Sequence, residues 1–160
     1  MLYQICKHLQ SRSASAENAE ALPGMGGQAN NGRKGSPCIE HFLPGQTRTL
    51  LSVNGKGIIR RIWMTLPPGN RDHMRNIILR MYWDGQNQPS VEVPLGDFFG
   101  IAHGRQRHMV TELVGMQDGK GLNCLAQMPF LKSARITVEN DSSSEVSMLF
   151  YQITGKSTAI

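Results

Sequence analysis

From Ile39 onward, short apolar runs of β character recur at intervals of roughly eight to twelve residues, each closed by turn residues, and that rhythm admits few folds. The runs are IEHFL (39–43), TRTLLSV (47–53), GIIRRIWMTL (57–66), RNIILRMYW (75–83), PSVEVP (89–94), HMVTELV (108–114), NCLAQM (123–128), ARITVEN (134–140) and EVSMLFYQIT (145–154). Pro44-Gly45, Asn54-Gly55, Pro67-Pro68-Gly69, Asp84-Gly85, Asp118-Gly119 and Asn140-Asp141 punctuate them. No sustained helical period follows residue 40. In the eighth run Ala134, Ile136 and Val138 alternate with Arg135, Thr137 and Glu139, the period of a strand with one wet face. In the fourth, Ile77, Leu79, Met81 and Trp83 oppose Ile78, Arg80, Tyr82 and Asp84, so both faces carry apolar area and a central or covered strand is expected. An all-β, two-sheet antiparallel sandwich follows. About eight strands with alternating long and short connections make it a single jelly roll.

The first 37 residues read differently. Residues 11–37 are rich in Ser, Gly, Asn and Ala and hold almost no large apolar side chain, so they cannot build a core of their own. The expected organisation is an N-terminal arm over residues 1–37, mostly irregular, and a β domain over residues 38–160. Leu2, Ile5 and Leu9 are spaced to allow a turn or two of helix at the start of the arm.

With 160 residues the chain has room for one real core. Its net charge of +5 is scattered, densest at Arg33-Lys34, Arg60-Arg61 and Arg105-Gln106-Arg107, with no basic block interleaved with aromatics. Nucleic-acid binding is therefore not expected, and a solvated basic surface or an acidic neighbouring subunit is. Cys6, Cys38 and Cys124 form no CxxC pair, which argues against a disulfide framework or a zinc site; Cys38 and Cys124 read as buried small apolar residues. The first ten residues do not read as a secretory leader, and no apolar run reaches membrane-spanning length. The expected location is cytoplasmic as synthesised, with no membrane contact.

The stretch MYWDGQNQPSVEVPLGDFFG (81–100) concentrates the chemistry. Asp84-Gly85 marks a tight turn. Glu92 sits inside an apolar triplet, and Asp97 follows Pro94-Leu95-Gly96 and precedes Phe98-Phe99. Glu17 in the arm and Asp97 are the best-placed acids for ligand binding, since each lies off a strand beside small residues where backbone can approach a ligand. The simpler reading has Glu17 and Asn18 pinning the arm through side-chain to backbone bonds and Asp97 capping its loop. Trp83 and Phe98, with Phe99, offer an aromatic platform for a sugar, against core packing as the plainer role. His103, Arg105, Arg107 and His108 occupy the long connection after Gly100. Two histidines flanked by arginines are poor cation ligands, so with Arg33 and Lys34 they are read as an oligomer or partner contact, and neither a metal nor a cofactor is expected. No nucleophile elbow, phosphate loop or dinucleotide fingerprint is present.

Taken as whole motifs, SxSAEN (13–18), GMGGQA (24–29), GRKGSP (32–37), LPGQTRTL (43–50), GKGIIRRIWMTL, LRMYWDGQNQPSVEVPLGDFFG, GKGLNCLAQMPFLKSARITVEN and FYQI resemble the N-terminal half of glycoside hydrolase family 172, formerly domain of unknown function 2961. The resemblance implies an antiparallel jelly roll, a tandem double roll and a trimer in full-length enzymes, and hydrolysis of fructofuranosides and arabinofuranosides by a glutamate pair. Retention requires two carboxyls about 5 Å apart. In the family that pair lies in the second roll, and this chain stops at FYQITGKSTAI, so no catalytic residue is expected within it.

Two functional classes follow. The leading expectation is a non-enzymatic assembly protein, a single jelly roll forming a homo-oligomer, a trimer, in which the arm wraps a neighbouring subunit. Its natural setting is a phage virion, as a head decoration, minor capsid or tail-appendage protein among other virion proteins, by fold analogy. The alternative is a carbohydrate-binding or furanosidase-like protein with a glycan pocket at the subunit boundary. A third reading assembles an enzyme site from Glu17, Asp97 and acids of a second subunit.

Overall fold

The computed structural model describes residues 8–33, 37–67 and 71–158. Two antiparallel sheets face each other. The larger contains β1 (Leu9–Ala14), β2 (Ile39–Phe42), β4 (Gly57–Thr65), β7 (Met109–Val110), β8 (Val114–Gln117), β9 (Gly121–Cys124), β10 (Met128–Phe130) and β12 (Val146–Thr158). Its main path runs β1-β12-β4-β9-β8-β7, with β2 paired to β12 and β10 to β4. The smaller holds β3 (Thr47–Asn54), β5 (Ile77–Trp83), β6 (Val91–Pro94) and β11 (Ser133–Asn140), in the order β3-β11-β5-β6.

Both β1 and β2 pair with β12, β1 opposite residues 153–158 and β2 opposite residues 146–149, so they act as two halves of one strand. Counting that split strand first and β3, β4, β5, β6, β9, β11 and β12 as the second to eighth, the sheets read 1-8-3-6 and 2-7-4-5. This is jelly-roll connectivity.

The alternation in β5 and β11 directs Ile77, Leu79, Met81, Ala134, Ile136 and Val138 inward, each fully buried. Beside Leu50 of β3 they meet Phe42, Ile62, Met64 and Leu122 from the larger sheet, and burying such a side chain contributes about 1.5–3 kcal/mol. Asn140, at the end of β11, is buried but satisfied. Its amide donates to the Phe42 and Ser144 carbonyls at 2.8 and 3.0 Å, and its oxygen accepts from the Ser142 backbone and hydroxyl at 3.1 and 2.6 Å. A bulge falls where Thr154 pairs with Arg61 but Gly155 pairs with Ile59. The extra residue, Arg60, turns both Arg60 and Arg61 outward. Gly155 is required there, because a Cβ would lie 2.4 Å from the Ile58 carbonyl oxygen.

Several expectations are corrected. The fourth run is a strand only from Ile77; α1 (Arg71–Asn76) precedes it, with Asp72 in its first turn and Arg75 in its last, as the helix dipole favours. Six residues are too few for a helical period to show. A second short helix, α2 (Leu95–Phe98), occupies the GDFF loop. The sixth run breaks where the Thr111 hydroxyl accepts from the Leu113 and Val114 amides at 3.3 and 3.0 Å, a local turn that separates β7 from β8. The seventh splits into β9 and β10. Within the arm, Leu9 begins β1 instead of ending a helix, because pairing with β12 satisfies its backbone; residues 1–7 lie outside the described residues. The arm therefore joins its own sandwich. Cys124 is buried, whereas Cys38 is half-exposed beside Glu40.

Candidate functional site

The arm is built around the two residues singled out in it. Glu17 accepts from the backbone N–H groups of Gly27, Gln28 and Ala29 at 2.5, 3.0 and 2.5 Å. Partial desolvation pushes this carboxyl up, but the three N–H bonds outweigh it and leave it below the usual carboxylate range. Buried Asn18 grips Leu22 on both sides, donating to its carbonyl at 3.0 Å and accepting from its amide at 2.9 Å. The Ser52 amide donates to the Ala19 carbonyl at 2.9 Å and ties the arm to the edge of β3.

Asp97 lies beyond the opposite edge of the same sheet, since α2 follows β6 directly. The four strands between these two acids span about 14 Å, so a single chain does not bring them together. The Asp97 carboxylate pairs with Arg75 of α1 and does not cap loop amides. Phe98 is half-buried against fully buried Phe99, edge to face at 5.0 Å. Trp83 is half-buried and packs against the core at the far end of β5. Asp84 adopts a left-handed conformation (φ 55°) and accepts from the amides of Leu131, Lys132 and Ser133 at 2.8, 2.7 and 3.3 Å, locking the turn between β10 and β11. Those bonds, that of Lys132 foremost, hold its carboxyl below the usual range.

The outer face of the small sheet consumes its own charges. Arg80 donates to Glu92 at 2.6 Å and to Glu139 at 2.5 Å, and the Arg135 guanidinium stacks 3.6 Å from the Tyr82 ring centroid. In glycoside hydrolysis one carboxyl must be poised as an acid. Glu92 and Glu139, the acids brought to one place, instead share a permanent cation.

The basic connection after Gly100 is exposed. The side chains of His103, Arg105, Arg107 and His108 form no hydrogen bond or ion pair among the described residues, and Arg33 is likewise exposed; Lys34 lies outside the described residues. No group of three or more His, Cys, Asp or Glu poised to hold a metal occurs among the described residues, and no helix is long and apolar enough to cross a membrane.

Two concavities and one row of side chains were not legible from the sequence. A groove of about 320 Å³ lies at the β7 edge of the large sheet, lined by Met109, Val110, Leu113, Val114 and Leu125 with Arg61 and Asn123 at its flank. Val110, Leu113 and Leu125 are 68%, 55% and 51% exposed, which is unusual for three large apolar residues lining one groove. Beside it, Gln152, Trp63 and Asn123 stand in register across β12, β4 and β9, and Arg61 donates to the Asn123 side chain at 2.8 Å. Trp63 faces outward from a sheet whose inner face is the core. A cleft of about 290 Å³ lies under the arm, bounded by Arg12, Glu20, Ala21, Leu22 and the ends of β3, β4 and β12. Only the period-2 phase of β4, which sets Trp63 opposite Ile62 and Met64, could have signalled any of this from sequence.

No curated protein matches the chain. A family model described as GH172 domain-like matches residues 39–153, from the start of β2 to the inward-facing Ile153 of β12. That span takes in both sheets and most of the chain, so this protein belongs to the GH172 domain-like family.

Proposed function

We propose that this chain is an assembly module of its family, a jelly roll that self-associates through the groove at the β7 edge. The observation that carries this reading is the set of exposed apolar residues Val110, Leu113 and Leu125 on one groove at the outer strand of the large sheet. A second copy is the occupant that fits best. The short β7 leaves an edge open to pairing, and the same neighbourhood holds Arg105 and Arg107, whose side chains are unpaired among the described residues, together with exposed Glu112, so one copy offers the charges another needs. A trimer in a virion decoration or appendage is the setting this reading favours, by analogy of fold. Light scattering on the purified chain should return a multiple of the monomer mass, and Val110→Glu with Leu113→Glu should return a folded monomer. A wild-type monomer at micromolar concentration sinks the proposal.

A second reading rests on a separate observation. Trp63, with Gln152, Asn123 and Arg61 around it, sets an aromatic face among fork-like hydrogen-bonding groups at the flank of the groove, an arrangement suited to a neutral glycan at a subunit boundary. Family membership supports carbohydrate as the ligand class. Titration with arabinofuranosides and fructofuranosides should perturb the fluorescence of Trp63, and an aryl furanoside should be bound without release of its aryl group. Turnover that survives purification of an Arg80→Met variant but is lost in Glu17→Gln or Asp97→Asn would instead favour the enzyme reading.

A further inference from the structure

The cleft under the arm has no part in the assembly or glycan readings, yet it joins an apolar wall to charged side chains. Its wall is apolar: Leu51, Ile59, Phe130 and Ile153 are all buried and line it, with Val53 and Ile58 beside them. Its volume of about 290 Å³ sits near the lower end of small-molecule pockets, which run from about 300 Å³ upward. Close approach of backbone keeps it from being filled. Gly155 lines it and can carry no side chain, because the bulge brings the Ile58 carbonyl oxygen to 2.4 Å from any Cβ. On the arm side Ala21 is held at φ 51°, a left-handed conformation unfavourable for a residue with a side chain by roughly 1–2 kcal/mol, and the Asn18 clamp on Leu22 maintains it.

The charges are asymmetric. Arg12 pairs with Gly155 across β1 and β12, so no opposing side chain screens it from the cleft. Its Nε donates to the Ser157 hydroxyl at 3.2 Å, and its remaining N–H donors have no partner among the described residues. Lys156 alternates with Gly155 and Ser157 along β12 and faces the outer side of the sheet with Gln152, whereas Glu20 lines the cleft and forms no ion pair among the described residues. Arg12 is thus the cation that faces the cleft among the described residues, half-buried against its apolar wall, while Glu20 stands exposed at the rim. A guanidinium with free N–H groups binds a carboxylate in a fork, while Glu20 disfavours a second negative charge on the ligand.

We propose that the cleft beneath the arm binds a small monoanion with an apolar body, a carboxylate of medium chain length, whose head group is held by Arg12 and whose tail lies against Leu51, Ile59, Phe130 and Ile153. Arg12 is then the binding residue, and the arm is the wall that closes the site. The proposal is independent of self-association, so it is tested equally well on the Val110→Glu, Leu113→Glu chain.

Isothermal titration calorimetry with octanoate, 1-octanol and acetate decides it. Octanoate is expected to bind at least tenfold more tightly than either, since 1-octanol lacks the charge and acetate the tail. Arg12→Gln should abolish that preference for octanoate over 1-octanol, and Arg12→Lys should keep part of it. Should Arg12→Gln fail to fold by circular dichroism, Glu20→Gln, on an exposed side chain, carries the test: it should tighten octanoate binding about threefold or more. Equal binding of octanoate and 1-octanol overturns the proposal, as does an unchanged affinity in Glu20→Gln. So does the absence of octanoate binding to the intact chain, including the case in which another segment of the chain fills the cleft.

Discussion

The outer faces of the two sheets use similar residue types to opposite ends. On the small sheet Arg80 is divided between Glu92 and Glu139, Arg135 lies on Tyr82, and Arg75 at the sheet's corner holds Asp97. On the large sheet Trp63 faces outward, Arg61 donates to the neutral amide of Asn123, and Val110, Leu113 and Leu125 stand exposed at the edge. Charge that is paired within the chain makes a finished surface, whereas apolar area and unpaired polar groups make one that awaits a partner. The acids of the GDFF region fall on the finished face. For that reason they order the fold more readily than they perform chemistry.

The comparison breaks most visibly through assembly. Val110→Glu with Leu113→Glu is expected to weaken self-association by a hundredfold or more while changing monomer stability by under about 0.5 kcal/mol, measured by light scattering and urea unfolding. On the other face, Arg80→Ala leaves two carboxylates facing each other without their shared cation. Because Glu92 is 56% exposed, solvent screening limits the expected loss to about 1–2 kcal/mol in urea unfolding, with no effect on oligomer mass. The same substitution on the large sheet, Arg61→Ala, should leave stability nearly unchanged. Were Arg61→Ala the costlier of the two, the contrast between the faces would be mistaken.

Smaller effects follow from pH. Burial lowers the pKa of His73, against an opposing pull from Asp72, and its Nε2 lies 3.1 Å from the Ser144 hydroxyl. The unfolded chain therefore takes up the proton first, so this contribution to stability is present above about pH 6.5 and is lost as the pH falls below it. His73→Gln should flatten that part of the stability profile in thermal melts taken from pH 7.5 to 5. Below it, Glu17 and Asp84, whose folded carboxyls titrate lower than unfolded ones, contribute stability that is lost as the pH falls through and below the ordinary carboxylate range. Limited proteolysis should find the arm cleaved first in Glu17→Gln. Arg75→Ala breaks an exposed ion pair and should cost under about 0.5 kcal/mol in urea unfolding.

How much was legible depended on the range of the interaction. The alternation of Ala134, Ile136 and Val138 with Arg135 and Glu139 predicts which side chains form the core, because side-chain direction along a strand has a period of two whatever the strand pairs with. Thr137 is the exception, buried on the outward side. The roles of Glu17 and Asn18 as anchors were also readable, since a coreless Gly-rich segment needs local side-chain to backbone bonds if it is to be ordered. Asp84 shows the boundary. The Asp-Gly pair announced a turn, yet its carboxylate binds the amides of Leu131, Lys132 and Ser133, some 47 to 49 positions along the chain.

The sequence alone determined the all-β class, the core-facing residues, the strand boundaries at Gly and Pro, and the family, because each of these rests on local spacing or on long contiguous motifs. Only the tertiary structure decided that Glu17 and Asp97 lie apart, that Glu92 and Glu139 meet on Arg80, that Trp63 faces outward beside an apolar groove, and that Arg12 overlooks a cleft. Those placements depend on strand order and register. A jelly roll pairs its first strand with its last, so neighbours across a sheet are set by backbone pairing between distant segments, which no local pattern encodes.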